Sequence, residues 1–118
     1  MDFDLSGNVL VDGEEITGVV DFDDACLSPC AACLGYALRD VLFCAGAQRM
    51  RDYVAAYEVV RPLRNSEAQI WQNALLFRNY FLTTVTMGAP DWSDIIHRSV
   101  EVEQEMFALF GAPIGLRC

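Results

Sequence analysis

Two short apolar runs near the N-terminus have the pattern of β-strands. Residues 9–11 and 16–20 are rich in valine and isoleucine and are bounded by turn-forming residues, which is typical of strands. The Asp12-Gly13 pair lies between the runs, and its glycine tolerates the positive φ angle that a tight hairpin turn requires. The sequence therefore predicts an N-terminal β-hairpin.

The pattern changes to a helical period after an irregular segment that ends at Pro29. Apolar side chains then recur every three or four positions over residues 31–45 and again over residues 48–60, which predicts two helices. Gly46 ends the first predicted helix, and Pro62 follows the end of the second. The side chains predicted to face inward are Leu34, Leu38, Val41, Leu42 and Ala45 in the first helix and Met50, Tyr53, Val54 and Tyr57 in the second.

Two further helices are predicted in the second half of the chain. The segment Ser66-Glu67-Ala68-Gln69 fits a capping box and opens a helix that runs to about residue 87, before Gly88. The last helix is predicted to begin at residues 91–93 and to end at Gly111. Its predicted apolar side consists of Ile95, Ile96, Val100, Met106, Phe107 and Phe110.

A hairpin followed by about four helices predicts an α+β fold, and 118 residues suffice for one domain, 1–118, with a single core. A hydrophobic fraction of 53% argues against disorder. The most apolar stretch, residues 74–87, is interrupted by Arg78 and Asn79, so we expect no membrane-spanning segment. Because no basic region precedes an apolar segment at the N-terminus, we expect a cytoplasmic protein without a secretion signal.

The charged residues exclude one class of partner and argue against nucleotide binding. The net charge is −9 at pH 7, and a nucleic-acid-binding protein needs a basic patch that this composition lacks. All 8 basic residues are arginine. Kinases and P-loop enzymes place a lysine on the nucleotide phosphates, and this sequence contains neither a lysine nor a glycine-rich phosphate-binding loop.

The cysteines raise the alternative of an iron–sulfur site. The spacing Cys26-x3-Cys30-x2-Cys33 matches the three-cysteine run that holds a [4Fe–4S] cluster in radical S-adenosylmethionine enzymes. Those enzymes set the run in a much larger α/β barrel, whereas this sequence predicts one hairpin and helices. Free cysteine is also a common small core residue, and structural disulfides are rare in the cytoplasm. We therefore expect packing thiols and a colourless protein that does not bind iron.

Oxygen-bearing side chains flank the predicted hairpin on both sides. Asn8 precedes the first strand and Asp21 follows the second, so the hairpin returns them to the same place. Amide and carboxylate oxygens are hard ligands of the kind that holds Mg²⁺ against phosphate groups. Asp23 is a further candidate carboxylate, whereas Asp12 is expected to be a turn residue and Asp24 a loop or cap residue. The sequence predicts a metal site made of Asn8, Asp21 and Asp23.

An ordered set of motifs supports a family resemblance. The run Asn8-Val9-Leu10-Val11, the run Gly18-Val19-Val20-Asp21-Phe22 and the hairpin between them resemble the catalytic core of the aminoglycoside phosphotransferase, choline kinase and type II homoserine kinase group. This resemblance implies the C-terminal lobe of a protein-kinase-like fold. Residues 1–24 would hold the catalytic-loop remnant, the hairpin and the metal motif, and residues 25–118 would form the helical part.

The resemblance also implies an activity for full-length relatives, namely transfer of the γ-phosphoryl group of ATP to a hydroxyl group of a small molecule, with Mg²⁺. An aspartate at the start of the chain would act as the base. Asp4 lies one residue too close to Asn8 for the family spacing, and Asp2 lies one residue too far. Both remain candidates, and Asp4 is preferred because Asp4-Leu5 precedes the Gly-Asn-Val-Leu run.

The departures from the family pattern suggest a truncated phosphotransferase that is inactive alone and does not retain Mg²⁺ or ATP. The family's loop histidine is absent, and the sole histidine, His97, is expected on a helix surface. Cys33 stands where the family has an aspartate before Leu-Ala. The main alternative is a non-catalytic remnant or partner-binding module, with a protein partner or a second copy on the exposed lobe interface. The weaker alternative is the iron–sulfur protein.

Overall fold

A computed structural model of the protein describes residues 7–21 and 27–111. The chain begins with the predicted hairpin, formed by antiparallel strands β1 (Val9–Asp12) and β2 (Glu15–Val19). Leu10 pairs with Gly18 and Val11 pairs with Ile16, so one extra residue forms a β-bulge in β2. Three helices follow, α1 (Cys30–Val60), α2 (Asn65–Val85) and α3 (Trp92–Phe110), which confirms the α+β class.

The hairpin stands apart from the helices. In the part of the chain that the structure describes, neither strand packs against a helix. Val11 and Ile16 are 65% and 71% exposed. Two strands without further packing are marginally stable in water, so the hairpin gains little stability from the core of the protein.

Helix α1 is broken at the predicted position. Gly46 has φ 81° and ψ 176°, a conformation that glycine adopts far more easily than other residues, and it divides α1 into the arms 30–45 and 47–60. The two predicted helices therefore exist as two arms of one interrupted helix. This is why the structure has three helices where about four were expected.

Helix α2 begins one residue before the predicted capping box. Its first residue is Asn65, so Ser66 lies inside the helix and is not the N-cap. The Glu67 carboxylate accepts a hydrogen bond of 2.9 Å from the backbone N–H of Arg64, which precedes the helix. The predicted capping residues, Ser66 and Gln69, were therefore wrong, because Arg64 and Glu67 form the cap two positions earlier.

The core lies between the three helices. Of the predicted inward positions, Leu34, Leu38 and Leu42 are buried, but Ala45 is exposed next to the break in α1. In α3 the prediction for Val100 was wrong, since this side chain is 46% exposed. The buried apolar cluster consists of Ala31, Leu34, Leu38, Leu42, Met50, Trp71, Leu75, Leu76, Val102 and Met106.

The backbones of α1 and α2 approach each other closely at Gly35. A Cβ atom at this position would lie 2.2 Å from the Trp71 carbonyl oxygen and 2.8 Å from the Ala74 Cβ atom. No side chain fits such a gap. Gly35 therefore allows the contact between α1 and α2 that buries Trp71 and Leu75.

One described helix, α1, is long and apolar enough to cross a membrane by length and composition. Its leucines fill the helical core, and core helices of globular proteins meet the same two criteria. The helix therefore gives only weak evidence for a membrane span.

Candidate functional site

The two metal-ligand candidates that the structure describes lie at the base of the hairpin. Val9 pairs with Val19, and the backbone N–H of Val20 donates a 2.9 Å hydrogen bond to the Asn8 carbonyl oxygen. The pairing therefore continues one step beyond the strands, and Asp21 follows directly. Asn8 is buried and Asp21 is exposed. The register thus places an amide and a carboxylate at the same end of the hairpin.

The backbone of Asp21 has an uncommon conformation. Its φ angle is 64°, and it is the only described residue other than glycine with a positive φ. Aspartate and asparagine enter this region more readily than other residues with a side chain. Strain of this kind costs roughly 1–3 kcal/mol and is concentrated at functional sites. Asp21 therefore has its uncommon backbone conformation directly after the last hydrogen bond of the hairpin.

The other predicted site residues lie outside the described part of the chain. These are the base candidates Asp2 and Asp4, the further carboxylate Asp23, and Cys26. The structure therefore brings together Asn8 and Asp21 alone from the predicted site. His97 is exposed on α3, as expected for a residue on a helix surface.

The donor set at the base of the hairpin fits Mg²⁺. Kinase-type Mg²⁺ sites take one or two protein oxygens and fill the remaining positions with water and phosphate oxygens. Asn8 and Asp21 offer this number and type of ligand. Among residues 7–21 and 27–111, no three histidine, cysteine or acidic side chains lie together as a denser metal site would require. Within the described residues, this end of the hairpin therefore offers at most two side chains as oxygen ligands.

A cleft lies beside the start of α1. Its volume is about 340 Å³, and both arms of α1 contribute to its walls. Sequence analysis placed Tyr53 and Tyr57 facing inward, and they do pack against the core. Burial, followed by the charge of Tyr57, raises the pKa of Tyr53. The lining residues are Ser28, Cys30, Cys33, Leu34, Ala37, Tyr53 and Tyr57.

The cleft is not encoded in a local sequence pattern, because the two tyrosines are one turn apart in the second arm while the cysteines begin the first arm. Only the break at Gly46 lets both arms line one cavity. Cys30 and Cys33 are free thiols at the edge of this cleft.

A buried polar network joins the three helices. Arg39 Nε donates to Asn79 Oδ1 at 3.3 Å, and Asn79 Nδ2 donates to the Ser99 carbonyl oxygen at 2.9 Å. The Thr83 hydroxyl donates to the Ser99 hydroxyl at 2.8 Å. Burial lowers the pKa of Arg39, and the neighbouring Asp40 carboxylate opposes that shift. Nothing in the helical period of the sequence distinguishes these polar residues from surface positions.

Comparisons with known proteins agree with the motifs of the hairpin. Residues 5–70 match the phosphotransferase enzyme family, and this match includes Asn8 and Asp21 but begins after Asp2 and Asp4. The homoserine kinase of Methylobacillus flagellatus is 34% identical over 74 residues, which is 58% of this chain and 23% of that protein. The chain thus spans less than a quarter of the length of this relative. No solved structure matches the chain.

Proposed function

The chain belongs to the phosphotransferase enzyme family, and from this membership we propose that it carries the metal-binding hairpin and the helical part of a small-molecule kinase. The reaction is transfer of the γ-phosphoryl group of ATP to a hydroxyl group. The similarity to a homoserine kinase supports an amino-alcohol as the acceptor. The observation that carries the proposal is the hairpin register, which brings Asn8 and Asp21 to one end.

The proposed roles follow from the chemistry of each side chain. Mg²⁺, when bound, would neutralise charge on the transferring phosphate groups. Asn8 and Asp21 would hold the ion, with Asp23 as a further carboxylate. Asp4, or alternatively Asp2, would accept the proton of the attacking hydroxyl group. We place the reaction in the cytoplasm.

We expect the 118-residue chain alone to show no ATP-dependent kinase activity. The chain has no lysine and no glycine-rich loop, and these groups position the nucleotide and stabilise the charge of the transition state. The measurement is ATP turnover by the purified chain with homoserine, other amino-alcohols and aminoglycosides. Turnover that disappears in Asp21→Ala would show that this chain is itself an active kinase.

We expect the chain to bind Mn²⁺ weakly through Asn8 and Asp21 together. Mn²⁺ is the better probe because it stands above Mg²⁺ in affinity for such ligands. Asp21→Asn removes the charge but keeps a residue that tolerates φ 64°. This variant and Asn8→Ala should each raise the apparent Kd about tenfold, which corresponds to roughly 1.4 kcal/mol.

Asp12→Asn is the matched control for the Mn²⁺ titration. Asp12 lies in the same hairpin and carries the same charge, but it is at the opposite end, beside the turn. Its replacement should leave the Kd unchanged. Equal losses in Asp12→Asn and Asp21→Asn would mean that Mn²⁺ binds to the general negative charge of the chain, and the inherited metal site would be wrong.

A second candidate function is a module that binds a protein partner or a second copy of itself. The observation that favours it is the pair Val11 and Ile16, which lie opposite each other in the hairpin and are 65% and 71% exposed. Contiguous exposed apolar surface marks interaction sites. The described residues supply only Cys30 and Cys33 of the cysteine run that the iron–sulfur alternative needs.

A further inference from the structure

The first turn of α1 carries two thiols three positions apart. Cys30 is the first residue of the helix, and the Pro29 carbonyl oxygen accepts the backbone N–H of Ala32 at 2.8 Å and that of Cys33 at 3.2 Å. The bond from Cys33 reaches back four positions, as in an α-helix. Residues three positions apart in an α-helix are neighbours on its surface. The backbone therefore brings the side chains of Cys30 and Cys33 to one face.

Both thiols also border the cleft beside α1. Its volume of about 340 Å³ and its mainly apolar walls, which include Leu34 and Tyr53, suit a small organic molecule. Cys30 is exposed and Cys33 is partly buried, and both are free thiols. One thiol is thus open to solvent, and the second is less exposed and lines the same cleft.

We propose that Cys30 and Cys33 form a redox-active dithiol whose oxidant is a small disulfide held at the adjacent cleft. The Cys30 thiol loses its proton to solvent and attacks one sulfur of the small disulfide, and the second sulfur leaves as a thiol after taking up a proton. The Cys33 thiol then loses its proton and attacks Cys30 Sγ. The half of the small disulfide that was bound to Cys30 leaves and takes up a proton, which gives a second small thiol. Two electrons pass from the two cysteines to the small disulfide.

The local backbone permits closure of this disulfide. Side chains one helical turn apart have Cβ atoms about 5–6 Å apart, whereas a disulfide needs about 3.5–4.5 Å. The first turn must therefore tighten slightly. The N–H groups of a first turn have no partner within the helix, so a small movement there breaks few bonds. Reversible disulfides of this kind occur in cytoplasmic proteins even though structural ones are rare.

The inference is independent of the phosphotransferase proposal, because it uses neither Asn8 nor Asp21. Its test uses the chain with Cys26 and Cys118 replaced by serine, which leaves three thiols to assign. The chain is equilibrated in glutathione buffers of increasing oxidised fraction, alkylated and mapped by mass spectrometry. We expect a Cys30–Cys33 disulfide, two hydrogens lighter than the dithiol and reversed by dithiothreitol. Cys44 should remain open to alkylation.

Single variants separate the roles of the two thiols. Cys33→Ser should trap a glutathione adduct on Cys30, because the resolving thiol is gone, while Cys30→Ser should leave Cys33 mostly reduced. Cys44 is the matched control, since it is an exposed free thiol on the same helix without a thiol one turn away.

Three outcomes would overturn the proposal. The first is no Cys30–Cys33 linkage in oxidised glutathione. The second is an adduct on Cys44 that forms as fast as the adduct on Cys30. The third, in the wild-type chain, is a disulfide of Cys30 with Cys26 in place of Cys33. Circular dichroism of each variant is the control for folding. Intact helices in each variant mean that the thiol assignments describe the folded protein.

Discussion

Replacing Arg98 with alanine is expected to lower the free energy of unfolding by about 2–3 kcal/mol. Arg98 lies on α3, and its Nε and Nη2 atoms donate to the carbonyl oxygens of Phe43 and Leu42 at 2.9 and 2.5 Å. These carbonyls belong to the last turn of the first arm of α1, where helical partners are missing. Alanine would leave them without their charged donor. Urea denaturation of wild type and variant measures the difference.

Two controls make the Arg98 measurement specific. Arg98→Lys keeps the charge but loses the planar guanidinium group that donates to two carbonyl oxygens at once. It should therefore be less destabilising than Arg98→Ala but more destabilising than no change. Arg49→Ala removes an exposed arginine whose contact with Asp52 is 3.9 Å long, and it should cost less than about 1 kcal/mol. If Arg98→Ala were no more destabilising than Arg49→Ala, the bonds to α1 would contribute nothing to stability.

Replacing Gly35 with alanine is expected to destabilise the protein by about 2 kcal/mol. The new Cβ atom would overlap the Trp71 carbonyl oxygen at 2.2 Å, and because that atom is backbone, α1 and α2 must separate to relieve it. Overpacking of this kind typically costs about 1–3 kcal/mol and sometimes more. The better helix propensity of alanine offsets up to about 1 kcal/mol of this destabilisation. The midpoint of urea denaturation gives the net effect.

Gly46→Ala is the comparison that isolates the steric cause. No atom lies within 4 Å of the position that its Cβ would occupy, but φ is 81°, so only backbone strain opposes the change. That strain costs roughly 1–2 kcal/mol. Near-ultraviolet circular dichroism of the Trp71 environment should change in Gly35→Ala and stay unchanged in Gly46→Ala. An unaltered Trp71 signal and full stability in Gly35→Ala would contradict the close contact between α1 and α2.

Local rules explain the parts of the fold that the sequence predicted well. Gly13 with β-branched runs on both sides leaves few alternatives to a hairpin, and the structure confirms the hairpin. The predicted turn pair Asp12-Gly13 is shifted by one position, because Asp12 pairs with Glu15 in the strands and the turn residues are Gly13 and Glu14. Gly46 is likewise a local signal, and helix α1 is interrupted at this residue. The placement of Asn8 and Asp21 follows from the same local rule, because a hairpin between them brings both residues to one end.

The errors in α2 and α3 have different causes. Val100 is exposed and Ser99 is buried, although the apolar period of α3 favours the reverse, because the Ser99 carbonyl oxygen accepts the Asn79 side chain of α2. The capping residues of α2 were misplaced because two candidate caps follow each other within one turn. The first error depends on a partner in another helix, which residue spacing does not specify, and the second is a local choice between two overlapping caps.

The sequence by itself determined the hairpin, the break at Gly46, the family membership and the placement of Asn8 and Asp21 at one end of the hairpin, since each depends on residues close together in the chain. Only the tertiary structure decided the close contact at Gly35, the cleft between the arms of α1 and the bond from Arg98 to Phe43. Arg98 and Phe43 are 55 positions apart, and no local pattern encodes which carbonyl a distant arginine will reach. Such contacts are fixed by the packing of whole helices, which brings together groups that the sequence keeps far apart.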